Sequence, residues 1–98
     1  MAEIDKTPRR LERHLKGLAH YKRIKILLLL SHQRGSNGLT LEEISEHMKT
    51  NTKNISHHTS KLQNAGLLDK KYQGKNVVHS LSPYGARFIK FLLTLAHS

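Results

Sequence analysis

Cysteine is absent from this 98-residue chain, which excludes a disulfide scaffold, Cys-ligated zinc and thiol catalysis. Acidic residues are scarce. Seven Asp and Glu face seventeen Lys and Arg, for a net charge of +10 with the eight histidines neutral. Long apolar runs are missing as well: the longest, Ile26 to Leu30, is far too short to cross a bilayer. Glu3 and Asp5 precede the first cluster of basic residues, so the N-terminus lacks a charged-then-apolar leader and a cytoplasmic protein is expected. No repeat, low-complexity tract or long linker divides residues 1–98, which read as one domain. Hydrophobic residues make up 37%, low for a self-sufficient domain of this size, and the shortfall points to a core shared with a second copy.

Catalytic constellations are missing too. The acids sit near the N-terminus, around residues 42–46 and at Asp69, without the paired carboxylates or nucleophile–base pair that acid–base or covalent catalysis requires. Gly74 and Gly85 occupy turn positions and not a phosphate-cradling loop. An enzyme is not expected. Nor is a metal or other cofactor. His57 and His58 are adjacent, so on a helix they point about 100° apart and cannot share one ion. Only a His14, His20 and His97 set assembled across a dimer survives as a metal site.

What is present is a basic helical chain. A charge of +10 implies an anionic partner, with nucleic acid ahead of a membrane surface. Thr7-Pro8 reads as a helix start, and Leu11, Leu15 and Leu18 follow at helical spacing to about residues 17–19. A second helix spans His20 to Gln33 and is apolar on most sides through Ile24 and Ile26–Leu30. Residues 34–38 form a loop, followed by a short strand near Leu39. Thr40-Leu-Glu-Glu43 is a capping box opening a third helix, with Leu41, Ile44 and Met48 inward. After a break at Lys49–Asn51, a fourth helix runs from Asn51 or Thr52 to Asn64 and ends at Ala65-Gly66. Leu67–Tyr72 and Val77–Ser82 form a hairpin around Gln73-Gly74-Lys75-Asn76. Ser82-Pro83 caps a last helix that reaches the C-terminus.

Two short helices joined by a tight turn and followed by a basic hairpin describe a winged helix-turn-helix, mainly α with a small β-hairpin. In that architecture the second helix of the pair enters the DNA major groove and the hairpin meets the flanking backbone. With Ile55 placed at 0° and each residue stepped by about 100°, Ile55, His58, Thr59, Leu62 and Ala65 gather on one side. Lys53, His57, Ser60 and Asn64 gather opposite, with Ser56 and Lys61 at the margins. No acidic residue lies between Lys49 and Gly66. A merely solvated face mixes charge signs. The expected base readers are therefore Lys53, Ser56, His57 and Ser60, flanked by Lys61, with Thr52 and Asn54 on phosphate at the helix start. Lys70, Lys71 and Lys75 hold the backbone from the wing by charge alone. His58 is expected to pack at the junction of this helix with the wing.

The chain resembles the ArsR-type repressors. Lys16-Gly-Leu-Ala-His-Tyr-Lys-Arg-Ile-Lys-Ile-Leu27 is similar to the signature of that family's first two helices, with Tyr21 in place of its usual proline. Ile55-Ser-His-His58, Lys61-Leu62, Ala65-Gly-Leu67 and Tyr72-Gln-Gly-Lys-Asn-Val-Val-His-Ser-Leu81 resemble its recognition helix and wing. Leu81-Ser-Pro-Tyr-Gly85 is closer to MarR-type regulators. The likeness spans roughly residues 11 to 90. Lys49 stands where the turn normally has glycine, and Thr59 where the recognition helix normally has leucine. The resemblance implies a transcription regulator, most simply a repressor associated with the nucleoid. Its metal-sensing members use cysteines near the third helix, or Asp/His and His/Glu pairs on the last one, and neither set is present here.

The last helix predicts the partner. With Phe88 at 0°, Phe91, Leu95, Leu92, Ala96, Ile89 and Leu93 fill an arc about 200° wide, twice the stripe that a helix needs to serve its own domain. Ile89, Leu92, Leu93 and Ala96 are expected to pack against a second copy, completed by Leu11, Leu15 and Leu18 of the first helix. The terminal helices, about 8–18 and 83–97, thus form a homodimer interface. Such a dimer binds an inverted repeat in double-stranded DNA. The alternative is an architectural protein coating DNA with little sequence preference; a winged helix used for protein–protein contact is a third.

Overall fold

The computed structural model describes residues 2–33 and 37–97, without the side chains of residues 2–6 and His14. Five helices and one hairpin follow in the order α1 (Ala2–Leu18), α2 (Tyr21–Ser31), α3 (Leu41–Met48), α4 (Thr52–Asn64), β1 (Leu68–Gln73), β2 (Asn76–Leu81) and α5 (Pro83–Ala96). This is the winged helix-turn-helix that the sequence predicts. Of the expected loop at residues 34–38, residues 34–36 lie outside the described residues.

Side-chain caps set most of the boundaries. Thr40 and Glu43 form the expected reciprocal capping box, with Glu43 N–H donating to Thr40 Oγ1 at 3.2 Å and Thr40 N–H to Glu43 Oε1 at 3.0 Å. Asn51 Oδ1 accepts from the Asn54 N–H at 2.7 Å and opens α4. Ser82 Oγ accepts from Gly85 N–H at 2.9 Å while donating to the Gly66 carbonyl at 2.6 Å, so one hydroxyl caps α5 and ties it to the end of α4. At α2 the imidazole of His20 takes the cap role: Nδ1 accepts from the Lys22 N–H at 3.1 Å, so His20 precedes the helix and is not its first residue.

Other boundaries also differ from the sequence reading: α2 ends at Ser31 and not at Gln33. Helix α1 starts at Ala2, with Pro8 inside it. Thr7-Pro8 has the local form of a helix start, but the good helix formers Ala2 and Glu3 extend the helix beyond it, at the cost of the one backbone bond that proline cannot donate. The hairpin strands are shifted inward, pairing Leu68 with Leu81 through Gln73 with Asn76. The turn is thus the two residues Gly74-Lys75, and Gly74 supplies the positive φ of 62° that a two-residue hairpin of this kind needs at its first position. The strand expected near Leu39 is a single antiparallel bridge to His79.

The core lies between α2, α3, α4 and the base of the hairpin, with Ile26, Leu27, Ile44, Ile55 and Leu62 fully buried. Helix α1 packs chiefly on α4. A Cβ on Gly17 would stand 2.9 Å from the Ala65 Cβ, so the glycine lets the two helix ends touch. The radius of gyration is 14.2 Å, above the roughly 12.6 Å of a compact domain of this length. On α1, Leu11 and Leu15 are exposed.

Candidate nucleic-acid interface

Helix α4 divides as its sequence pattern predicts. Ile55, His58, Thr59, Leu62 and Ala65 are buried. Thr52, Lys53, His57, Ser60, Lys61 and Asn64 are exposed, as is Gln63, which sequence reasoning left out. Ser56 is half-buried at the margin. Asn54 is half-buried too, and its Nδ2 donates to Thr50 Oγ1 at 3.3 Å, so this side chain belongs to the structure of the turn. Thr59 is accommodated in the core, at 3% exposure, because its hydroxyl donates to the Ser56 carbonyl at 3.1 Å. The exposed face therefore carries short donors and cations and no carboxylate.

The turn ahead of α4 is built on Lys49, at φ 56° and ψ 46°, the one non-glycine residue with positive φ among the described residues. Its left-handed conformation reverses the chain, so that α4 begins three residues later. In the wing, Lys70, Lys71 and Lys75 are exposed. Lys70 pairs with His79 and Lys71 with Val78. Because successive strand residues point to opposite faces, Lys70 and Lys71 cannot both face one DNA backbone.

His58 corrects the sequence reading. It is buried but does not meet the wing. Its ring lies 4.5 Å from that of His20, and its Nδ1 accepts from Arg23 Nε at 3.2 Å. A residue at this angle of α4 faces the start of α2, whereas the wing follows only after the helix has ended. Burial, then the positive neighbours His20, Arg23, His57 and Lys22, hold its pKa below the usual histidine value. Burial likewise lowers that of His79.

The expected dimer residues separate into two groups. Leu18 and Ile89 are each 5% exposed and belong to the chain's own core, because α1 packs on α4 and α5 on α2 and these residues lie within that packing. Leu92 is half-buried against that core. Leu11, Leu15, Phe91, Leu93 and Leu95 are exposed, and Ala96 is exposed at the end of α5. An apolar surface therefore remains on the two terminal helices. His14, one member of the surviving metal set, has its side chain outside the described residues. Among the described residues no three metal-ligating side chains converge, and no helix is long and apolar enough to cross a membrane.

Known proteins share this arrangement. Reduced HlyU from Vibrio cholerae is 25% identical and superposes with a TM-score of 0.78, over 97% of both chains. HlyU from Vibrio vulnificus is 23% identical with a TM-score of 0.73, over 96% of this chain and 95% of that one. A homodimeric winged helix-turn-helix DNA-binding domain from Mycobacterium bovis is 20% identical with a TM-score of 0.85, over 99% of this chain and 87% of that one. No curated protein matches the chain. The sequence model of bacterial regulatory proteins of the arsR family matches residues 20–70, from the cap of α2 into the wing. The chain belongs to the arsR family of bacterial regulatory proteins: it is a winged helix-turn-helix DNA-binding transcription regulator and not an enzyme.

Proposed function

We propose that this regulator is a dimeric repressor that reads an inverted-repeat operator in the bacterial cytoplasm and blocks promoter access by occupying it. The observation that carries this reading is the exposed face of α4, where Lys53, His57, Ser60 and Asn64 stand together without an acidic residue. Side chains of this kind donate to base edges in the major groove, with Ser56 and Lys61 at the margins. Thr52 and the free N–H groups of the first turn of α4 meet a phosphate there, and the wing lysines add sequence-independent contacts.

The dimer rests on Leu11, Leu15, Phe91, Leu93 and Leu95, whose exposure in one chain is more than a solvated monomer needs. The Mycobacterium bovis domain of like fold is homodimeric, which supports the same assembly here. Two-fold symmetry then places two α4 helices about one DNA turn apart.

A second reading, a DNA-coating architectural protein, is favoured by the net charge of +10. Selection of bound sequences from random duplex DNA separates the two. A sharp palindrome is expected for the operator-reading dimer, and a flat outcome contradicts it in favour of the coating protein.

A further inference from the structure

Four cations converge at the edge of the base-reading face. Where the C-terminal ends of α1 and α4 meet, they enclose a cleft of about 370 Å³ lined by Arg13, Lys16, Arg23 and Lys61. Gly17 and Ala65 line it as well, and among the described residues no acidic one does. Arg23 is held rigidly: Nη1 donates to the carbonyls of Lys16 and Gly17 at 3.2 and 3.0 Å, and Nε to His58 at 3.2 Å. Three of the five guanidinium donors are thus used within the fold, and the two on Nη2 remain for a ligand. At the surface Lys16 pairs with Glu12 at 3.7 Å, but both side chains are well exposed and such a pair yields readily to a stronger anion.

The two helix C-termini that flank the cleft each carry about −0.5 of an elementary charge. One basic residue in each last turn, Lys16 and Lys61, suffices to offset these ends. Arg13 and Arg23 are in excess, and paired arginines bind phosphate by parallel N–H donors. We propose that this cleft is a phosphate-binding site, filled by a DNA backbone phosphate when α4 is docked. The DNA source follows from geometry: Lys61 and Asn64 line the cleft and also belong to the exposed side of α4, so the two surfaces are continuous. The assignment of DNA as the source rests on α4 being the groove-facing helix; the phosphate site does not.

The test uses the full chain with Arg13→Gln and Lys16→Gln combined, leaving Arg23 in place because its bonds join α1 to α2 and α4. Arg9→Gln with Arg10→Gln removes the same charge from α1 outside the cleft and is the control. Duplex affinity is followed across a salt series by fluorescence anisotropy. Inorganic phosphate is titrated into the DNA-free protein at constant ionic strength, with the Gly17 and Ala65 amide resonances observed. The expected result is a log–log salt slope shallower by about 1 in the cleft variant alone, with amide shifts in wild type that the cleft variant lacks. Phosphate shifts with an unchanged slope keep the site but assign it to a free phosphate-bearing ligand instead of DNA. An unchanged slope without shifts, or equal slope losses in both variants, overturns the proposal. Should wild type bind no duplex, the reading of α4 fails and the phosphate titration alone decides the cleft.

Discussion

Arg23 donates a hydrogen bond from Nε to Nδ1 of His58, across 35 positions of sequence, and the same guanidinium closes off two carbonyls at the end of α1. The contact requires a neutral imidazole, because a protonated Nδ1 has no lone pair to accept with. Burial and the surrounding positive groups disfavour the charged form of His58, and burial that of His79. The unfolded chain, with histidines titrating near 6.5, therefore binds more protons than the folded one just below that pH. Stability is full above about 6.5 and falls as pH drops from there toward the lowered folded values. Urea unfolding midpoints should decrease from pH 7.5 to 5, and His58→Gln should flatten the decrease. A midpoint that holds constant or rises on acidification contradicts this.

Lys49 sits in the left-handed region, which costs a side-chain-bearing residue about 1–2 kcal/mol. Glycine relieves that cost but loses more chain entropy on folding. Lys49→Gly should stabilise the protein by about 0.5–1 kcal/mol, measured by chemical denaturation at fixed protein concentration. A less stable glycine variant would show that the lysine side chain compensates the conformation through contacts of its own.

Lys70 and Lys71 occupy opposite faces of the wing, and Lys75 its tip. Lys75→Ala should weaken binding to every duplex alike and make the salt slope shallower by about 1. Of Lys70→Ala and Lys71→Ala, one should do the same and the other should leave the slope unchanged. Equal slope losses for the two are incompatible with a single backbone passing one side of the hairpin.

Leu93 is exposed on α5, at the opposite edge of its apolar arc from the more exposed Phe91 and Leu95. Leu93→Asp should convert a dimer of the chain into a folded monomer, with molecular mass read by light scattering at micromolar concentration. A monomeric wild type, or an aspartate variant that still dimerises, rules out this interface.

Much of this was legible because the signals were local. The capping box at Thr40 and Glu43, the Ser82-Pro83 start and the split of α4 into a buried and a polar side each depend on residues within two or three turns of one another. What escaped depended on distant partners. Periodicity located Leu18 and Ile89 on apolar arcs but could not say that α2 and α4 cover them, leaving the outer part of the arc for another molecule. It indicated that His58 is buried but not that it meets Arg23. The cleft had no signal in the sequence, since its four cations come from three helices that only the fold brings together. The start of α1 was misplaced because Thr7-Pro8 imitates a cap that longer-range helix propensity overrides.

The most direct measurement is the effect of His57→Ala on two duplexes, the best selected operator and a random sequence of equal length, at one salt concentration. His57 lies on the exposed face of α4, away from the core, so its removal should leave the fold intact. Loss of a base contact should weaken operator binding by about 1–3 kcal/mol while random DNA is bound as before. Equal losses on both duplexes would contradict base reading by this face of α4.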